Sequence, residues 1–211
     1  MGVVERRERE RTELRDKILD AARELFITDG YEGVSMRKVA EKIEYSPTAI
    51  YVYFRDKEDL FRELCHEDFG KLAGVFQSSA QVANPLERLR QIGRTYAEFG
   101  HLYPNHYKLM FMTPHPLQGL DEHDHEIQGN PESDAYAFLK QTMQEAIAGG
   151  YLRRELSDAD LLSQTLWAAI HGVISLHIAK CNDEWVEWRP VETRIEQMLD
   201  VTLRGIRREG N

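Results

Sequence analysis

The chain has 211 residues and a formal net charge of −9, with 42% hydrophobic and 30% charged residues. That length and balance suit a globular protein that buries one or two cores, and they exclude a low-complexity or collagen-like chain. No apolar run approaches the length needed to span a bilayer, and the opening stretch VVERRERERTELR has no apolar signal core, so the expectation is a cytoplasmic protein with no membrane partner.

In chain order, Leu14, Ile18, Ala21, Ala22, Leu25 and Phe26 predict a helix that ends at Asp29-Gly30, glycine being the usual stop. Ser35 can cap a second helix, in which Met36, Val39, Ala40 and Ile43 recur at the spacing of one buried face while Arg37 and Lys38 stay outside. Glu44 and Tyr45 break that pattern. Ser46 then supplies another cap and Pro47 falls at the first helical position, where its missing amide costs nothing. From there Ile50 and Phe54 point inward, and Thr48, Ala49, Tyr51 and Tyr53 project outward. Two short helices joined by a tight turn, the second polar and aromatic on its outer side, make a helix-turn-helix, whose second helix enters the major groove by its amino end.

The segment SPTAIYVYFRDKEDLF, preceded by ITDGYEGVSMRKVA, resembles the amino-terminal domain of the TetR family of bacterial repressors over residues 12 to 64. Tyr51, Tyr53, Phe54 and Lys57 are its most distinctive piece, with Gly30-Tyr31 and Val39-Ala40 at the matching distances. Tyr53 stands where many members carry histidine, and both can donate a hydrogen bond to a phosphate. The resemblance implies an all-α fold, with a three-helix DNA-binding domain over 1–56 and a helical ligand-binding and dimerisation domain over 57–211. It also implies a repressor that a small molecule releases from a palindromic operator. Thr48 and Tyr51 are the candidates for base contact at the end shaped by Ser46 and Pro47, with Ser35, Arg37, Tyr53 and Lys57 on phosphates.

Charge runs against the usual basic footprint of a DNA-binding domain: residues 1 to 60 hold 12 Lys and Arg against 14 Asp and Glu. The acids Glu8, Glu10, Glu13, Asp16, Asp20 and Glu24 cluster in the first helix, however, while Arg37, Lys38 and Lys57 belong to the elements expected at the groove. Nonspecific affinity is therefore expected to be weak, with base readout carrying more of the binding.

The rest of the sequence reads as helices, with no period-two strand. Asp56 can cap a long helix over 57–80, and Asn84-Pro85 opens one with Leu86, Leu89, Ile92, Tyr96 and Phe99. Pro104 precedes a short aromatic helix with Tyr107, Leu109, Met110 and Phe111. Residues 113–130, rich in proline, glycine and charge, predict a mobile loop. Asn130-Pro131 predicts a helix to Gly149-Gly150, and Ser157 with Asp160 resembles a capping box that opens a helix to residue 180. In that helix Leu166, Ile170 and Val173 repeat at helical spacing. From Pro190 a last helix carries Ile195, Met198, Leu199, Thr202, Leu203 and Ile206. Paired across two chains, these stripes predict a four-helix dimer interface. Trp167, His171 and Gly172, in the order W-x-x-x-H-G, resemble a signature of one subgroup of TetR carboxy-terminal domains. The plain reading of Gly172 is a close helix crossing, and of His171 a satisfied interior histidine. Phe76, Tyr96, Phe99, Tyr107, Phe111, Met143 and His171 are the candidate effector lining.

No glycine-rich phosphate loop, nucleophile elbow or zinc-helix pattern is present, so neither catalysis nor a cofactor is expected. Cys65 and Cys181 fit no metal or redox spacing and read as buried reduced thiols. His115 with Asp121, Glu122, His123, Asp124, His125 and Glu126 offers metal-ligand residue types and the alternative of a metal-sensing regulator. A further alternative is a DNA-binding protein with no effector. A charged loop is the simpler reading, because adjacent residues cannot all converge on one ion.

Overall fold

The computed structural model describes residues 3–115 and 121–208, and among them it is helical with no strand. The helices are α1 (Val3–Asp29), α2 (Met36–Lys42), α3 (Pro47–Tyr51), α4 (Lys57–Phe76), α5 (Pro85–Leu102), α6 (Pro104–Met112), α7 (Glu122–Ile127), α8 (Ala135–Ala148), α9 (Ala159–Lys180) and α10 (Val191–Ile206).

Local chemistry sets most boundaries. Ser35 Oγ accepts from Lys38 N, Ser46 Oγ from Ala49 N, and Asn84 Oδ1 from Leu86 N and Glu87 N. Asp56 Oδ1 accepts from Asp59 N at 2.9 Å, as expected for the start of α4. Gly30 closes α1 at φ 71°, a left-handed conformation that suits a residue without a Cβ. Two expected caps are displaced. Asp134, not Asn130, caps α8, because residues 131–133 form a turn in which Asn130 Oδ1 accepts from Glu132 N. Asp158, not Ser157, caps α9 by accepting from Leu161 N. The expected loop over 113–130 contains α7, held by reciprocal bonds between Asp121 and Asp124 side chains and backbones; residues 116–120 lie outside the described residues.

The chain divides into two compact units, residues 1–68 with 105–119 and residues 69–104 with 120–211. The first has a core of Ile18, Ala22, Phe26, Val39, Ile50, Phe54, Phe61 and Leu64. Phe26, Tyr31 and Phe61 form a compact ring cluster, with Phe26 and Phe61 edge to face at 4.9 Å. Leu109 of α6 belongs to that core too. Beside it Asp68 of α4, with no exposure, accepts from Arg23 of α1 at 3.0 Å and from His106 of α6 at 2.6 Å.

In the second unit α5 packs with α8, α9 and α10. A Cβ on Gly93 of α5 would lie 2.5 Å from Leu199, so glycine is what lets α10 approach. Next to it Arg94 grips Glu196, one turn before Leu199, with two bonds of 2.6 and 2.7 Å. The fork keeps the Glu196 carboxyl below its usual range and raises the Arg94 guanidinium. After α8, Gly150 at φ 71° turns the chain back, and Leu152 bridges to Arg207.

Contrary to the sequence expectation, α9 is long and apolar enough, by length and composition, to cross a membrane. The run was hidden by scattered Ser163, Gln164, Thr165 and His171. The thiols differ as well: Cys65 is half-buried and Cys181 exposed, because Cys181 follows the last turn of α9.

Removing Asp68 would leave the buried Arg23 guanidinium with only the exposed Asp20, 2.7 Å away, to balance it. Asp68→Ala is therefore expected to cost about 3–5 kcal/mol in urea unfolding followed by circular dichroism. A loss under about 1 kcal/mol, within the scatter of surface changes, would show that Asp20 alone suffices for Arg23.

Candidate nucleic-acid interface

The helix-turn-helix is built from α2 and α3, which pack against each other, with α2 also on α1. Between them the chain turns at Glu44, whose φ of 62° is the one positive value at a non-glycine among the described residues. Tyr45 N returns to Ala40 O at 3.0 Å and closes the turn. Ile50 is fully buried and anchors α3, while Ser46, Pro47 and Thr48 are exposed and Tyr51 is 54% exposed. The amino end of α3 thus presents small polar residues to solvent, with Tyr51 exposed at its last residue and Tyr45 and Val52 exposed on either side. Such a surface can offer hydrogen bonds to base edges and phosphates.

The other expected contacts are placed as follows. Ser35 and Arg37 are exposed at α2, and Arg37 pairs with Glu41 at 2.8 Å. Lys38 is held by Asp29 at 2.5 Å and by Gly33 O. Helix α3 is shorter than the sequence suggested and ends at Tyr51. Tyr53 consequently lies beyond it, half-buried against the core instead of fully outward, with the Arg11 guanidinium 6.0 Å from its ring centre. Lys57 is not a free cation: its ammonium donates to Tyr31 O at 3.0 Å, lies 4.2 Å from the Tyr31 ring centre and has Glu32 at 3.8 Å. It ties the start of α4 to the loop after α1.

The candidate effector residues separate. Tyr107 and Phe111, whose rings lie 5.0 Å apart, belong to the first unit. Phe76, Tyr96, Phe99 and Met143 are buried and belong to the second, with His171 half-buried. Tyr96 Oη lies 3.0 Å from His171 Nδ1 and accepts from Trp167 Nε1 at 3.1 Å. This polar chain was not legible in advance, since only the helical register of α5 against α9 brings the three together. A Cβ added to Gly172 would meet nothing within 4 Å, so the expected close crossing does not occur within one chain. The metal-ligand cluster also divides: His115, in the first unit, packs on Phe61, and Asp121 and Asp124, in the second, cap α7.

The expected dimer stripes are in part consumed inside the chain. Leu166, Ile170, Leu199 and Leu203 are buried in the protomer, Leu199 fully. Val173, Ile195, Met198, Thr202 and Ile206 are half-buried. The large apolar residues left outside are Leu161, Trp167 and Leu176 on α9 and Val201 on α10, the last 60% exposed.

Burial disfavours the His171 imidazolium and lowers its pKa. The unfolded chain would protonate this residue near its ordinary value of about 6.5, and the folded chain resists doing so. Its contribution to stability is thus complete above that pH and is lost as pH falls. His177 is lowered too, by burial first and then by Arg194 and His101. Urea unfolding should show wild type losing more stability than His171→Gln on acidification from about pH 7.5 to about pH 5.5, with a residual slope from His177. Identical losses would remove His171 as a titrating group.

Comparison with known proteins agrees with this geometry. Residues 18–64 match the model of bacterial regulatory proteins of the tetR family, and residues 89–202 match the tetracyclin repressor-like C-terminal domain. The chain is 28% identical over 162 residues to the transcriptional repressor AcnR of Corynebacterium diphtheriae, covering 69% of this chain and 83% of that protein. It is 29% identical over 171 residues to the transcriptional regulator AcrR of Shigella flexneri, covering 79% and 77%. The fatty acid degradation regulator FadR of Bacillus halodurans shares the fold, with a TM-score of 0.70 at 18% identity over 90% of this chain and 94% of that one. So does PfmR of Thermus thermophilus, with a TM-score of 0.69 at 21% identity over 92% and 97%. The chain belongs to the TetR family and is a helix-turn-helix transcriptional regulator.

Proposed function

We propose that the protein is a homodimeric repressor that reads a palindromic operator with Thr48 and Tyr51 and leaves it when a small molecule enters the helical core of the second unit. The observation that carries this reading is the short α3, capped at its amino end by Ser46, on which Thr48 and the last residue Tyr51 are exposed while Ile50 fixes the helix from below. Ser35 and Arg37 are assigned to phosphates. Tyr53 and Lys57 join them from positions already braced by the protein. In the second unit Tyr96, His171 and Trp167 offer a polar handle among the apolar Phe76, Phe99 and Met143, the composition of a site that encloses a largely apolar molecule and orients it.

The dimer is assigned to the outer sides of α9 and α10, one helical step from the stripes read in the sequence. Leu161, Ala168, Gly172 and Leu176 form the α9 face, with Val201 and Gly205 on α10. Neither Gly172 nor Gly205 has a neighbour within 4 Å of an added Cβ, which leaves room for a second backbone to approach. The same face accounts for the apolar character of α9.

A duplex selected by the protein from a random-sequence pool should be palindromic, with half-sites about one helical turn, roughly 34 Å, or a multiple apart. Tyr51→Ala should lose discrimination between this duplex and random DNA, by roughly 1–3 kcal/mol if one good base contact goes. Equal weakening on both duplexes would remove Tyr51 from base readout. Lys57→Ala should weaken binding on every sequence and also lower the thermal midpoint, since its ammonium braces Tyr31.

For the dimer, Val201→Glu should give a folded monomer in sedimentation at ordinary concentrations. Leu199→Glu should instead unfold the protomer, because it places a charge against Gly93 inside the chain. A dimeric Val201→Glu would move the interface elsewhere.

A further inference from the structure

We propose that the amino-terminal arm of α1 is a second contact to the DNA backbone, made by Arg7 and Arg11 on the side of the recognition helix. The inference rests on the protein binding duplex DNA. Seven-residue spacing puts Arg7, Leu14 and Ala21 in one row of α1 and Arg11, Ile18 and Leu25 in the next. The later members of both rows pack into or against the core of the first unit. The inward face of the helix therefore continues past the edge of the core, and there its residue type changes from aliphatic to arginine.

Every side chain from Glu5 to Glu13 is exposed, so this stretch, about 13 Å long at the rise of an α-helix, is not held in place by apolar contact. Its cations fall into two sets. Arg6 pairs with Glu10 and Arg9 with Glu13, the ordinary i,i+4 pattern of a solvated helix. Arg7 has no ion pair among the described residues, and the Arg11 guanidinium lies 6.0 Å from the ring centre of Tyr53, two residues past the end of α3. The next arginine on this side, Arg15, is bound to Glu63 and Glu67 and so belongs to the protein's own framework.

Helix stability does not explain this placement. Cations in the first turns of a helix oppose its dipole, where acids would favour it. From Glu5 to Glu13 the charges balance, Arg6, Arg7, Arg9 and Arg11 against Glu5, Glu8, Glu10 and Glu13. The arm is thus not a generally basic tail. What distinguishes it is position: two arginines share the face that leads to Tyr53 and to α3. The guanidinium of Arg11 and the hydroxyl of Tyr53 are both donors that a phosphate can accept from.

The experiment is a salt titration of the full-length protein on the duplex it selects from a random-sequence pool. It compares wild type, the double variant Arg7→Ala with Arg11→Ala, and the charge-matched control Arg6→Ala with Arg9→Ala. In a dimer the first variant removes two arginines per protomer, and each phosphate that is no longer neutralised should lower the slope of log K against log salt by roughly 0.9. Its binding deficit relative to wild type should then narrow about a hundredfold between about 50 and 200 mM salt, while the control keeps the wild-type slope. The wild-type slope retained by Arg7→Ala with Arg11→Ala, or equal change in both variants, would overturn the proposal. Wild type that shows no salt-dependent duplex binding would overturn the DNA-binding reading itself. Thermal unfolding without DNA checks folding, and Arg7→Gln with Arg11→Gln, which keeps long side chains, must reproduce the reduced slope if the alanine pair is destabilised.

Discussion

A carboxylate with no access to water, Asp68, governs how the first unit is put together. Desolvating it is costly, and the cost is offset only because Arg23 and His106 both reach it, the arginine through two nitrogens at 3.0 and 3.3 Å. Those partners come from α1 and α6, so one charge ties the helix that supports the DNA-reading motif to a helix far along the chain. Leu109 of α6 reinforces the tie from the core side. The polypeptide leaves the first unit within α4 and returns to it at α6.

The second unit follows a different rule. Its inner helices are matched by shape and by charge, with Gly93 admitting Leu199 and the Arg94 fork holding Glu196 nearby. Once that match is made, Leu166, Ile170, Leu199 and Leu203 of the α9 and α10 stripes are buried within a single chain. Leu161, Trp167, Leu176 and Val201 remain exposed, and those on α9 make it more hydrophobic than its packing in the protomer requires.

Much of the fold was legible because helix signals are local. Ser35, Ser46, Asp56 and Asn84 each cap where an oxygen sits within three residues of orphan amides. The displaced caps, Asp134 and Asp158, arise where competing polar residues stand side by side and only the backbone path chooses between them. Of the stripes expected to face a partner, Leu166, Ile170, Leu199 and Leu203 are buried within the protomer, because periodicity identifies a buried stripe without saying what buries it. The Asp68 cluster left no trace in the sequence, since its members are 45 and 38 residues apart. At the DNA interface the outward Thr48 and Tyr51 could be read from their spacing to Ile50. The half-burial of Tyr53 could not, because it follows from α3 ending early.

The joining of α6 to the DNA-binding unit is tested most directly by native-state hydrogen exchange on the full chain. If the Asp68 cluster and Leu109 make one cooperative body, the α6 amides and those of α1 and the first turns of α4 should open with a common free energy and a common denaturant dependence. Asp68→Ala should lower that protection in α1, α4 and α6 together while leaving α8 and α9 unchanged. Exchange of α6 in step with α5, and unaffected by Asp68→Ala, would contradict the assignment.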